Sequence, residues 1–154
     1  MRLGDRWVRG LAAAGMMMIA SACAPPASLE PGMGPQGAQV PLEETTWGLE
    51  EIASEPVRQD IRWERPTLRL VAAEGRAQGT TGCNSFGGGY QRIGDRLVFG
   101  ELVTTRRFCE GVMETEQAYL QLLDATDRYS IDDGRLTLYA GDRVLARFRP
   151  APSA

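Results

Sequence analysis

Apolar and polar positions begin to alternate at Thr45, and the alternation recurs through the rest of the chain. In "TTWGLEEI" Trp47 and Leu49 share a face, and in "TLRLVA" Leu68, Leu70 and Ala72 do so. "RLVFG" puts Leu97 and Phe99 on one side and Val98 on the other, the period of two expected of half-buried strands. Gly94-Asp95 supplies a tight turn, so residues 89–99 read as a hairpin. Turns at Asp133-Gly134 and Gly141-Asp142 divide the C-terminal part into three antiparallel strands, the last with Val144, Ala146 and Phe148 on one face.

Between these strand runs the period changes. In "METEQAYLQLLDAT", residues 113–126, Met113, Ala118, Tyr119, Leu120, Leu122 and Leu123 recur at spacings of three and four, which predicts one amphipathic helix. Glu114 and Glu116 fall in its first turn, where carboxylates complement the helix dipole. Strands, one helix and more strands imply an α+β fold with an antiparallel sheet. Six to eight short strands are best arranged as a strongly curved sheet or open barrel with the helix packed on it. The expected core is Trp47, Leu68, Leu70, Phe86, Tyr90, Leu97, Phe99, Leu120, Leu123, Leu136, Leu138 and Phe148.

The first 44 residues follow neither pattern. Arg2, Arg6 and Arg9 precede an apolar run from Leu11 to Ala20, and the small residues Ser21 and Ala22 lead into Cys23. This reads as a secretory signal peptide over residues 1–22, too short to span a bilayer, which takes about 20 apolar residues. Ala20-Ser21-Ala22-Cys23 resembles a bacterial lipobox, so Cys23 is the expected lipidation site and membrane anchor. Ordinary signal-peptidase cleavage is the alternative. Residues 23–44 are rich in Pro and Gly and poor in large apolar side chains, so they read as a flexible tether. One domain, residues 45–150, accounts for the remainder.

Charge and residue inventory narrow the chemistry. All 17 basic residues are Arg, and removing residues 1–22 leaves 14 basic against 19 acidic side chains. That balance disfavours nucleic acid as a partner. The chain has no His, which removes Ser-His-Asp and Cys-His catalysis and the usual zinc sites, so no metal and no cofactor are expected. Glu50-Glu51, Glu114/Glu116 and Asp132-Asp133 are the remaining carboxylate pairs, and a solvated face explains each of them better than acid-base catalysis.

Cys83 and Cys109 remain as an even pair once Cys23 is set aside. In an oxidising compartment a disulfide between them is the default expectation, with two reduced thiols or a reactive thiol pair as alternatives. Asn84 beside Cys83 reads as a turn-capping residue or a ligand contact. Gly82, Gly87, Gly88 and Gly89 lack the Lys of a phosphate-binding loop, so close strand approach or bulging is their expected role. Thr105 and Arg106 lie just before Cys109; an intradomain ion pair or a partner carboxylate would occupy Arg106. Trp63, among charged residues in "IRWERP", is a candidate interface anchor.

"GCNSFGGGY" at 82–90, "DRLVFG" at 95–100, "TTRRFC" at 104–109, "METEQAYLQLL" at 113–123 and "GRLTLY" at 134–139 resemble the META/HslJ domain family in order and spacing. Ser85 departs from the basic residue common there, and Gly87 and Gly89 from small polar ones. The resemblance implies a curved antiparallel sheet with one helix, in proteins that are often envelope lipoproteins linked to heat-shock or drug stress, with no established catalysis. The expectation is a non-enzymatic lipoprotein of the bacterial cell envelope, anchored in the outer membrane and facing the periplasm, acting through an envelope protein partner. The alternative is a binding module for a small apolar ligand, or an inhibitor of an envelope hydrolase such as lysozyme.

Overall fold

The computed structural model describes residues 40–57 and 63–152. Nine strands and one helix follow one another as β1 (Thr46–Ile52), β2 (Glu55–Pro56), β3 (Thr67–Val71), β4 (Arg76–Thr80), β5 (Ser85–Ile93), β6 (Arg96–Thr104), α1 (Met113–Asp124), β7 (Arg128–Asp132), β8 (Arg135–Ala140) and β9 (Arg143–Pro150). All pairings are antiparallel, and β1 bonds to β9 as well as to β3, so the sheet curls into a ring. The ring is weakest between β6 and β7, which share the single ladder pair Arg96–Arg128. The helix lies between these two strands in the chain and packs beside β6.

The interior is filled. Trp47, Leu68, Leu70, Leu97, Tyr119, Leu123, Leu136, Leu138 and Phe148 have no exposed surface, and Tyr90 and Leu120 pack against that cluster. The two polar edges within it are satisfied: the Trp47 indole donates to Leu42 O at 2.8 Å and the Tyr119 hydroxyl to Thr67 O at 3.0 Å. Burial pushes the Tyr119 phenol well above its ordinary pKa.

Three features differ from the expectations. β2 and β4 add to the anticipated strands; "RAQGT" of β4 buries only Ala77, so it carries no apolar alternation. A Cβ on Gly79 would run into Thr67 O, so that polar strand lies close against β3 because it is side-chain poor. In β9 the register shifts, Leu138 pairing with Ala146 and Tyr139 with Val144, and the extra residue Leu145 turns inward while Val144 is half-buried. Residues 40–44, read from sequence as the end of the tether, belong to the folded domain: Leu42 is buried, Glu43 meets Tyr90 and Arg92, and Glu44 meets Arg69. Cys23 and residues 1–39 lie outside the described residues.

Candidate interaction surface at the disulfide end

β5 starts beside Cys83 and ends at Arg92–Ile93, where Glu43 bonds to Tyr90 and Arg92. Asn84 and Arg92 are eight residues apart on an extended strand, a separation of about 26 Å at roughly 3.3 Å per residue. The chain therefore enters the domain at one end of the ring and carries its cysteines at the other. Val40 lies near Gly134, in the β7–β8 turn, consistent with that entry point.

At the far end, residues 81–84 make a turn that only glycine fits at its second position. Gly82 has φ +97°, and a Cβ there would stand 2.9 Å from Glu64 O. Thr81 N donates to Asn84 O at 2.7 Å and closes the turn. The next two residues are thereby aimed at the segment between β6 and α1. Cys83 forms a disulfide with Cys109, with Cα atoms 6.0 Å apart. For a loop of 26 residues the chain-entropy treatment gives a stabilisation of about 3.5 kcal/mol.

Asn84, 1% exposed, uses its whole amide. Its Oδ1 accepts from Arg107 N at 2.8 Å and from Thr105 Oγ1 at 2.9 Å, and its Nδ2 donates to Arg107 O at 3.0 Å and to the Glu116 carboxylate at 2.9 Å. Glu116 also accepts from Thr81 Oγ1. Asn84 thus does more than cap its own turn: it pins the backbone of Arg107 from both sides and ties it to α1. The expectation for Glu116 is corrected, since it does not sit on the solvated face beside Glu114. It is buried, because its position on α1 faces the 81–84 turn, and it is held by neutral donors.

Glu50 and Glu51 are engaged at the surface. Glu50 pairs with Arg135 and Arg149, and Glu51 with Arg147. Among the described residues no group of three His, Cys, Asp or Glu side chains is placed to hold a metal.

Between two clamped neighbours, Arg107 and Cys109, stands Phe108 with 83% of its surface exposed. Sequence reasoning passed over it; the available signal was a large apolar residue flanked by two Arg and a bridged Cys. Arg106 and Arg107 are exposed, and among the described residues neither pairs with an acidic side chain. Trp63 is half-buried, its indole donating to Glu110 O at 3.2 Å.

Beside this loop lies an open cleft of about 860 Å³. Ile52, Val57, Trp63, Pro66, Val112 and Ala118 supply its apolar lining, and Glu55, Glu64 and Glu114 stand on it with Arg65 as the one basic side chain among the described residues. The disulfide end thus holds a basic, aromatic-tipped loop next to an apolar, acid-rimmed cleft. Of the residues singled out from sequence, Cys83, Asn84, Thr105 and Cys109 meet in one bonded cluster. Trp63 belongs to the cleft wall instead, and Arg106 to the open loop.

Residues 40–152 match the family described as the META domain. A solved structure of a protein from Burkholderia xenovorans is similar at 27% identity and a TM-score of 0.59, over 73% of this chain and 85% of that one. A second structure matches at 21% identity and a TM-score of 0.56, over 70% and 90%. A DUF4847 family protein from Bacteroides vulgatus matches at 14% identity and a TM-score of 0.53, over 73% and 96%; these last two share the fold. No curated protein matches the chain.

Proposed function

The chain belongs to the META domain family, and from that premise we propose that it is a non-enzymatic envelope lipoprotein acting through protein contacts in heat-shock or drug-stress resistance. The observation that carries this reading is the separation of the two ends. The chain enters at Val40, beside the β7–β8 turn, whereas Trp63, Phe108 and the cleft gather at the opposite end. Cys23 precedes Val40 by 17 residues, which span at most about 60 Å when extended. An acyl chain on Cys23 would hold the domain within that reach of the membrane, with the disulfide end remote from the point of attachment and free to meet another protein. The filled core and the exposed Phe108 favour a contact surface over a ligand held inside the ring.

The test is incorporation of an alkyne palmitate analogue, followed by crosslinking in intact envelopes. Label should appear on the wild-type chain, vanish in Cys23→Ser, and the chain should leave the membrane fraction. Label that persists in Cys23→Ser overturns the anchor. Absence of any crosslinked protein at the Phe108 loop overturns the contact role. A second reading, a module for a small apolar ligand, is favoured by the cleft itself, whose volume falls in the range of roughly 300–1,000 Å³ usual for ligand pockets.

A further inference from the structure

An exposed phenylalanine is ordinary when its loop is loose, because it then collapses onto the nearest apolar surface. Phe108 has no such freedom. Arg107 before it is held through both its N–H and its carbonyl by the buried Asn84 amide, and Cys109 after it is held by the disulfide. Cys109 is itself 1% exposed, so the chain enters the interior immediately after Phe108 while the ring stays in water. A rigidly presented aromatic that follows two Arg side chains, neither paired with an acidic side chain among the described residues, is preorganised for docking, because little conformational freedom remains to be lost on contact.

The same end of the same chain carries the complementary surface. The cleft is apolar where an aromatic ring would lie, and among the described residues it holds three carboxylates against one guanidinium at its margin. Its wall includes Gly111 and Val112, only three and four residues after Phe108, so plug and socket are adjacent but distinct. That adjacency suits a two-fold axis, where each of two copies offers its loop to the other's cleft and both contacts close together.

We propose that the occupant of the cleft is a second copy of this chain: Phe108 enters the partner's cleft, and Arg106 and Arg107 pair with the carboxylates of Glu55, Glu64 and Glu114 at its rim. The contact is small and belongs to the weak, transient class of interfaces, those below about 1,200 Å². It deepens the protein-contact reading by naming a partner, and it does not require the anchor. Acylation of Cys23 would raise the effective concentration of copies on one membrane and so favour the dimer.

The experiment is sedimentation velocity on the chain from residue 23 onward carrying Cys23→Ser, over a concentration series up to roughly 1 mM. The lipid is then absent, so failure here leaves the anchoring result untouched. A concentration-dependent dimer is expected, weakened at least about tenfold by F108A, a change at an exposed position that should leave thermal stability unaltered. R106E/R107E and E64R/E114R should each be monomeric alone, and an equimolar mixture of the two should dimerise again, since both loop-cleft contacts then regain opposite charges. Trp63 lines the cleft while Trp47 is fully buried, so a change in Trp63 emission should accompany association. A wild-type chain that stays monomeric, a dimer indifferent to F108A, or charge variants that do not rescue each other would overturn the proposal. A monomer whose Trp63 emission responds to a neutral alkyl maltoside would assign the cleft to a small apolar ligand instead.

Discussion

Around Phe148 the neighbours are apolar: Leu49 and Leu136 sit across from it in β1 and β8, and the Tyr119 ring lies 6.2 Å away. Around Asn84 the neighbours are Thr81, Thr105, the Arg107 backbone, the Glu116 carboxylate and a disulfide. Phe148 and Asn84 are themselves both buried. The first region is held by non-directional burial spread over 17 buried side chains, so any one of them contributes and none is indispensable to the geometry. The second is held by directional bonds converging on one amide, so its geometry depends on a single residue. The difference fits what each region has to do: the ring needs to be stable, whereas the loop carrying Phe108 needs to be in one place.

The comparison can be broken first where the expected effect is largest. Phe148→Ala removes a fully buried aromatic ring and should cost about 3–5 kcal/mol in urea unfolding. The disulfide end should keep its arrangement in the surviving folded fraction, because no bond to Asn84 involves Phe148. A loss below about 1 kcal/mol would show that the interior is less well packed than its burial implies.

Asn84→Ala should cost less, about 1–3 kcal/mol, and its effect should be local. It strips the Arg107 N–H and carbonyl of their partners and leaves the buried Glu116 carboxylate with Thr81 alone among its side-chain donors. Backbone amides of residues 105–110 should then lose hydrogen-exchange protection while β8 and β9 do not. In a double-mutant cycle, Asn84→Ala and Glu116→Gln should couple by more than about 0.5 kcal/mol, whereas Asn84→Ala and Phe148→Ala should add. Additivity between Asn84 and Glu116 would dissolve the distinction between the two regions.

The sequence was a better guide to the first region than to the second, for a physical reason. Burial leaves a periodic trace, so β1, β3, β6 and β8 could be read from Trp47, Leu68, Leu70, Leu97, Phe99, Leu136 and Leu138, and α1 from its spacings of three and four. β4 left no trace, since its place depends on what its small residues let approach. The register shift in β9 hid Leu145 in the same way. At the disulfide end the cysteine count pointed to the bridge, and Asn84 could be recognised as a local hydrogen-bonding residue. Its bond to Glu116 spans 32 positions, however, and no spacing rule links a turn to one face of a distant helix. Glu116 consequently read as a surface charge, and Phe108 was passed over.

The smallest effect concerns the entry end, and it extends the comparison to a third kind of site, one that is half-buried and titratable. The Tyr90 hydroxyl donates to Glu43 Oε1 at 2.8 Å, and its pKa is pushed up to about 12, first by burial and then by the bond to Glu43. A group whose folded pKa lies above its unfolded value, here about 10, adds stability that is complete below the unfolded value and is lost as pH rises through the folded one. Wild type should therefore exceed Tyr90→Phe in stability by a constant margin up to about pH 9.5, and that margin should shrink between about pH 10 and 12. Tyr119 titrates upward as well, but it is present in both proteins and cancels in the difference. Because Glu43 belongs to the segment that precedes β1, the margin reports how firmly residues 40–44 are docked. Urea midpoints of the two proteins across this range decide it: a margin that stays flat to pH 12 would mean that Tyr90 and Glu43 do not meet in solution, and that the chain enters the ring by a looser path.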